Sequence, residues 1–195
     1  MLAAVILSGG ASSRMGSPKA LLPYQGRPFL EHLLEVTALP EIGVRRVVLG
    51  AHAEPIAKVV NLKADEIVIN HEWEKGQLSS IRAALRSLPP GTDGILLCLI
   101  DHPLISTTLV QDLIEQFYKT KSLIVLPVYE GRRGHPVIFS STLYDELLRA
   151  PLETGARAVV WAHRGEVQEL PTNEEGCVLN LNDPETMNAA LRPRS

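Results

Sequence analysis

The chain has 195 residues, 45% of them hydrophobic and 21% charged, with a formal net charge of −3. That size suits one domain with a substantial core. The charge balance argues against a basic face for nucleic acid, so any phosphate-bearing ligand must be gripped by a few local cations. The two cysteines, Cys98 and Cys177, form no CxxC pair, which fits a reduced, cytoplasmic protein without a structural disulfide. The apolar opening, residues 2–7, is too short for a signal peptide and lacks its basic flank, and no apolar run is long enough for a membrane.

In chain order, residues 2–7 read as a fully apolar first strand. Leu30, Leu33, Leu34 and Ala38 then recur with helical spacing, and Pro28 suits the first turn of that helix, where a missing N–H costs nothing. Residues 46–49 are strand-like, 54–60 helical and 66–69 strand-like, and a helix is predicted from about 79 to 87. Residues 95–100 are wholly apolar and predict a central strand. Val110, Leu113, Ile114 and Phe117 form the next helical stripe, followed by predicted strands at 123–126 and 137–139. Leu143, Leu147 and Leu148 belong to a helix, as do residues 156–162. Strands are predicted at 167–170 and 178–181, and a last helix at 184–191 with Asp183 as its N-cap. No repeat or linker interrupts the alternation. The expectation is one α/β domain over residues 1–195, Rossmann-like, whose mostly parallel sheet is covered by helices on both faces. In such sheets ligands bind beyond the carboxyl ends of the strands, and chemistry is sought there.

Directly after the first strand comes Ser8-Gly9-Gly10-Ala11-Ser12-Ser13-Arg14-Met15-Gly16-Ser17-Pro18-Lys19. It matches neither GxGxxG nor GxxxxGK[ST]. Adjacent glycines let a phosphate chain approach the backbone N–H groups, and Arg14 and Lys19 add a planar fork and a point charge. The bland alternative is a surface loop with solvated cations. Asp101 ends the most apolar strand; a carboxylate beside bound phosphates is a natural magnesium ligand, and the alternative is a turn cap before Pro103. The segment from Asn70 to Ile81 follows a strand and leads into a helix. Within it Gly76 allows close approach, while Gln77, Ser79 and Ser80 offer hydrogen bonds to a base or ribose; either serine would also serve as a helix cap. Arg132-Arg133-Gly134-His135-Pro136 is a basic loop between strands, suited to a second anionic substrate or to a solvated hairpin. The oxygens of Asn180-Leu181-Asn182-Asp183 complete a metal site or cap the last helix. No GxSxG elbow occurs, and no two histidines stand at helical metal-binding spacing.

The run Leu7-Ser8-Gly9-Gly10, Arg14-Met15-Gly16, Lys19-Ala20-Leu21-Leu22 resembles the signature loop of molybdenum-cofactor nucleotidyltransferases. The likeness continues in order through Gly76-Gln77-Leu78-Ser79-Ser80-Ile81, Asp101-His102-Pro103-Leu104, Arg133-Gly134-His135-Pro136, Gly155-Ala156-Arg157 and Asn182-Asp183-Pro184-Glu185. It is most similar to the cytidylyltransferase branch. The resemblance implies transfer of CMP from CTP to the phosphate of molybdopterin, the molybdenum cofactor, with release of pyrophosphate, with Mg²⁺ as cofactor and with a xanthine-oxidase-type molybdoenzyme as client. It places catalytic roles on Arg14, Lys19 and Asp101 and the metal on Asp101 and Asn182. It places the nucleotide on Leu7, Ser8, Gly9, Gly10, Arg14, Lys19, Asn70, Gly76, Gln77, Ser79 and Ser80, and the acceptor on Arg133 and His135. Two positions follow another pattern: Gly9 resembles the guanylyl branch, and Asn180 and Asn182 stand where the cytidylyl branch carries an Asp-x-Asp pair. GTP as donor to the same acceptor, sugar-phosphate nucleotidyl transfer and a catalytically silent nucleotide-binding protein are the alternatives. A phosphate-monoester nucleophile, with a second pKa of about 6, needs no general base, and none is obvious in the sequence.

Overall fold

The computed structural model describes residues 1–11 and 16–190. Its central feature follows from the first apolar run. Leu2–Ser8 forms β1, buried over its whole length. A strand with no polar side must be covered on both faces, and alternate residues supply the two coverings. Leu2 and Ile6 pack into one apolar layer, whereas Ala3, Val5 and Leu7 pack into the other.

After β1 come a two-stranded hairpin, β2 (Pro23–Tyr24) and β3 (Arg27–Pro28), and then α1 (Phe29–Val36), β4 (Ile42–Leu49), α2 (Ala53–Val59), β5 (Ile67–Ile69), α3 (Gln77–Arg86) and β6 (Gly94–Leu99). The chain continues through α4 (Thr107–Thr120), β7 (Ile124–Tyr129), β8 (Arg132–Arg133), β9 (Val137–Ser140), α5 (Tyr144–Arg149), α6 (Arg157–Ala162), β10 (Val167–Pro171) and α7 (Pro184–Ala190). The main sheet runs β10-β7-β9-β6-β1-β4-β5, with β8 added against β7. β9 runs antiparallel to both its neighbours and β8 antiparallel to β7, while the remaining pairs are parallel. Leu30 and Leu33 of α1, Ile56 of α2 and Leu113 of α4 cover one face; Leu78 and Ile81 of α3, Leu147 of α5 and Val159 of α6 cover the other. This is a Rossmann-like α/β fold with a mostly parallel sheet between two helical layers. Cys98 and Cys177 are free, buried thiols, pushed by burial up to about 12 and about 11. Among the described residues no helix is long and apolar enough to cross a membrane.

Two departures from the sequence expectations have clear physical causes. β4 starts at Ile42, four residues before the expected strand. Arg45 and Arg46 lie inside it because their heads find partners: Arg45 pairs with Glu66 at 2.6 Å and donates to the Leu34 carbonyl, and Arg46 donates to the Ser87 carbonyl. Residues 178–181 form no strand; they follow a 3-10 turn at Glu175–Cys177. The backbone there bonds to loops and not to a ladder: His135 N–H donates to the Cys177 carbonyl and Leu181 N–H to the Asp101 carbonyl, each at 2.8 Å. The apolar Cys177 and Leu181 are fully buried all the same, which is what their pattern reflected. The last helix is described as far as Ala190, and the expected end at Leu191 lies outside the described residues. Asp183 caps it, its Oδ1 accepting from Thr186 N–H at 2.8 Å.

Candidate active site

β1 and β6 are adjacent and parallel, so their carboxyl ends deliver Ser8 and Asp101 to the same edge of the sheet. Ile100 N–H donates to the Leu7 carbonyl, extending the pairing to the mouth of the crevice. The glycine loop leaves β1 tied to the turn after β4: Ala51 N–H donates to the Gly9 carbonyl, and the His52 ring bonds the Ala11 carbonyl at 2.8 Å. Beyond Pro18 a 3-10 turn, Lys19–Leu21, brings Lys19 back over the strand ends. Its ammonium lies 3.8 Å from Asp101 Oδ2 and donates to Asn182 Oδ1. The Lys19 and Asp101 side chains are 14% and 19% exposed, so their mutual attraction is only partly screened. The hydrogen bond from Leu181 N–H to the Asp101 carbonyl fixes the segment that carries Asn182. Arg14 lies outside the described residues.

These groups border a cavity of about 230 Å³, lined by Leu7, Ser8, Gly9, Gly10, Lys19 and Asp101 on one side and by Trp73, Gly76, Gln77 and Ser80 on the other. Gly76 has φ +89°, a left-handed conformation that suits glycine, and this lets the chain turn sharply into α3 at the rim. Two expected nucleotide-side residues do not reach the cavity. Asn70 and Ser79 are buried behind it, the Asn70 amide donating to the hydroxyls of Ser79 (2.8 Å) and Ser80 (3.0 Å). Asn70 Oδ1 accepts from Glu72 N–H, and the Ser79 hydroxyl reaches the Glu72 and Gly76 carbonyls. These side chains tie the loop to the helix it precedes. Trp73, by contrast, lines the cavity without having been singled out in the sequence. It is one of only two tryptophans and follows a strand, the one signal that pointed to it.

A second cavity of about 450 Å³ adjoins the first, and Gln77 borders both. Arg133 and His135 line it. Gly134 between them packs so closely on Cys177 that a Cβ there would sit 2.5 Å from its carbonyl oxygen. Arg133 is paired with Glu169 at 2.7 Å. His135 is not a cation in this setting. Burial, together with the neighbouring His102, pushes its imidazole down to about 3. The two rings lie 4.9 Å apart. His102 is also held below its ordinary value by burial, against the opposing pull of the Asp101 carboxylate. Positive charge at this cavity therefore comes from Arg133 and from Arg157 on α6, which also lines it.

Asp101 and Asn182 present oxygens that converge on the Lys19 ammonium. The ammonium occupies the position of a cation between a carboxylate and an amide oxygen, and that donor set suits a hard divalent ion. Among the described residues no group of three or more His, Cys, Asp or Glu side chains is assembled for a metal. A metal here would have to draw further oxygens from water or phosphate, the usual habit of Mg²⁺.

A glycine loop, a lysine and an acid meet at the carboxyl ends of an open α/β sheet, where such folds bind their ligands, and likeness to known proteins places the chain in the class of nucleotidyltransferases. The chain belongs to one family within that class: residues 4–167 match the MobA-like NTP transferase domain. It is 34% identical over 147 residues, 71% of each chain, to a protein of Paenarthrobacter nicotinovorans named nicotine blue oxidoreductase. It is 30% identical over 161 residues, 81% of this chain and 77% of the other, to a Bacillus cereus protein named "Probable molybdenum cofactor guanylyltransferase". The crystal structure of Rv0371c from Mycobacterium tuberculosis superimposes with a TM-score of 0.82 at 30% identity, covering 97% of this chain and 96% of that one. A complex of Rv0371c with manganese superimposes with a TM-score of 0.79 at 25% identity, covering 99% of both chains.

Proposed function

We propose that residues 1–195 act as one nucleotidyltransferase domain that moves CMP from CTP to the phosphate of a molybdopterin acceptor and releases pyrophosphate. The observation that carries this reading is the convergence of Lys19, Asp101 and Asn182 beside the glycine loop, at a cavity sharing the Gln77 wall with a second one. Two contiguous cavities suit a reaction that joins two molecules. An oxygen of the acceptor phosphate forms a bond to the α-phosphorus, the bond from that phosphorus to the bridging oxygen breaks, and pyrophosphate leaves with the electron pair. The acceptor is largely dianionic at pH 7, so no side chain has to remove a proton. The His135 imidazole, pushed down to about 3 by burial, fits that scheme.

The work left to the protein is orientation and charge neutralisation. Ser8, Gly9 and Gly10 bring backbone close to the phosphate chain, Lys19 neutralises the leaving pyrophosphate, and Arg14 shares that role. Gln77 and Ser80 face the nucleoside; Arg133 faces the acceptor. Asp101 and Asn182 would hold Mg²⁺, which when bound supplies positive charge to the phosphate oxygens. The manganese complex of Rv0371c supports use of a divalent ion.

CTP is favoured by the likeness of residues 76–81 and 133–136 to the cytidylyl branch. A second reading, GTP as donor, is favoured by the name of the Bacillus cereus relative and by Gly9. A Cβ at Gly9 would point at Ser80 Oγ, 3.0 Å away, so the room at this position lies against α3 and not in an open base pocket. The test is pyrophosphate release with purified molybdenum cofactor and each of the four NTPs in turn. A higher kcat/KM with CTP supports the reading, a higher value with GTP replaces it by guanylyl transfer, and no release with any NTP defeats both. Release with glucose 1-phosphate in place of the cofactor would make the protein a sugar-phosphate nucleotidyltransferase.

A further inference from the structure

Asn70, Ser79 and Ser80 form a chain of hydrogen bonds behind the first cavity, and the chain has a fixed direction. Asn70 Oδ1 accepts from Glu72 N–H at 2.9 Å, so the amide turns its Nδ2 the other way. That nitrogen has only protons to offer. It donates them to Ser79 Oγ at 2.8 Å and to Ser80 Oγ at 3.0 Å. Each serine thus uses a lone pair on Asn70 and keeps its own proton for another partner. Ser79 passes its proton to the Gly76 and Glu72 carbonyls, at 2.7 and 2.9 Å. Ser80 has no such outlet: among the described residues its hydroxyl makes no hydrogen bond besides the one from Asn70.

Ser80 differs from the other two in a second way. It lines the first cavity, and they do not. Gly9 stands beside it, where a Cβ would lie 3.0 Å from Ser80 Oγ; a bare glycine keeps the hydroxyl uncovered on that side. All three polar residues are 5% exposed, and a buried donor without an acceptor is costly. A ligand that brings an acceptor to this wall removes that cost.

We propose that Asn70 is a positioning residue that sets Ser80 as a hydrogen-bond donor toward the nucleotide, for an acceptor oxygen or nitrogen of the base or ribose. This rests on reading the first cavity as the nucleotide side. Asn70 touches no substrate; it acts by occupying the accepting side of the serine. Lys19 and Asp101 meet charge that shifts during transfer, whereas the nucleoside keeps its charge throughout. The Ser80 contact is therefore as strong in the ground state as in the transition state. Its loss weakens NTP binding and spares the chemical step.

Reversing the direction of the chain tests this. Asn70→Asp keeps the shape and still accepts from Glu72 N–H, but its second oxygen draws the Ser80 proton inward and leaves lone pairs facing the cavity. Full-length protein is titrated calorimetrically with CTP, and in parallel with GTP, at about pH 8, where the carboxylate is ionised. For the nucleotide that the wild type binds more tightly, Kd rises about tenfold or more, the scale of a lost hydrogen bond with a group left unpaired. Ser80→Ala gives a similar rise, and the double variant binds no more weakly than either single one, as two residues acting through one contact require. The loss appears in NTP affinity and not in the single-turnover rate at saturating nucleotide. A buried Asp can unfold the protein, so Asn70→Ala is measured alongside; its freed hydroxyl gives a smaller rise, which Ser80→Ala again makes redundant. An unchanged Kd in Ser80→Ala or in folded Asn70→Asp, additive losses in the double variant, or loss of cooperative melting in both Asn70 variants overturns the proposal. The expected shifts in a protein that transfers no nucleotide would overturn the transfer reading and leave the network standing. Transfer with a wild-type Kd in Ser80→Ala would do the reverse, and a wild type that binds neither nucleotide defeats both.

Discussion

The cavity assigned to the nucleotide and the cavity assigned to the acceptor share Gln77, yet they are held in different ways. In the first, the charged groups are largely enclosed and each is fixed by backbone: Asp101 by the end of β6 and the Leu181 amide, Lys19 by its 3-10 turn. In the second, Arg133 and its partner Glu169 are both more than two-fifths exposed, and Arg157 stands on a helix of six residues. Charges set in a rigid, partly desolvated frame act on the transition state without reorganising. Charges on solvated side chains attract a ligand but are screened and must be ordered to do so. Changes on the nucleotide side should therefore alter rate, and changes on the acceptor side affinity.

The sharpest way to break that comparison is Asp101→Asn. We expect turnover to fall by about 10³ or more, while thermal melting shows the fold intact, because the side chain is not part of the core. Near-wild-type turnover at saturating magnesium would remove Asp101 from the chemistry. Lys19→Ala should lower the single-turnover rate by about 10²–10³, the usual loss for one charge-stabilising group, with acceptor affinity unchanged. A loss seen only in acceptor KM would blur the two cavities into one.

On the other side, Gly134→Ala should destabilise the fold by about 1–3 kcal/mol, since its Cβ has no room against the Cys177 carbonyl. Denaturant unfolding measures this, and a neutral outcome would mean that the loop is free to shift. Arg133→Ala should raise the acceptor KM by no more than about fivefold, in keeping with an exposed ion pair, and leave the NTP KM alone; a larger change in NTP affinity would contradict the assignment of this loop. The smallest effect concerns His163, just after α6, whose ring bonds Glu166 at 2.8 Å and Glu146 at 2.9 Å. These two carboxylates raise its imidazole above the ordinary value. A group with a raised folded-state pKa adds stability that is whole below about 6.5 and fades as pH rises through the raised value. Melting temperature should thus drift down across that window in the native protein and stay flatter in His163→Gln.

Much of this was legible in the sequence, and the reasons differ by residue. β1 and β6 were readable because a doubly covered strand is apolar throughout. Lys19 and Asp101 were readable as candidates because a glycine loop and an acid directly after such strands stand where open α/β sheets bind ligands, although a surface loop and a turn cap would leave the same local pattern. Residues 178–181 misled because burial and strand pairing both select apolar residues, and here only burial applies: Cys177 and Leu181 fill the interior from an irregular segment. Asn70 and Ser79 misled for a related reason. Polar side chains near a helix start serve loop closure as well as ligand binding, and only the hydrogen bonds show which. Trp73 acquires its meaning from a cavity built by distant segments, and no local pattern encodes that.

The bond between Lys19 and Asn182 joins groups 163 positions apart. A ribosome making this protein releases the lysine well before the asparagine. A chain halted just after β10 holds every strand of the described sheet and yet lacks one of the oxygens that meet the lysine. An interrupted product can therefore be complete in its sheet and still lack this contact.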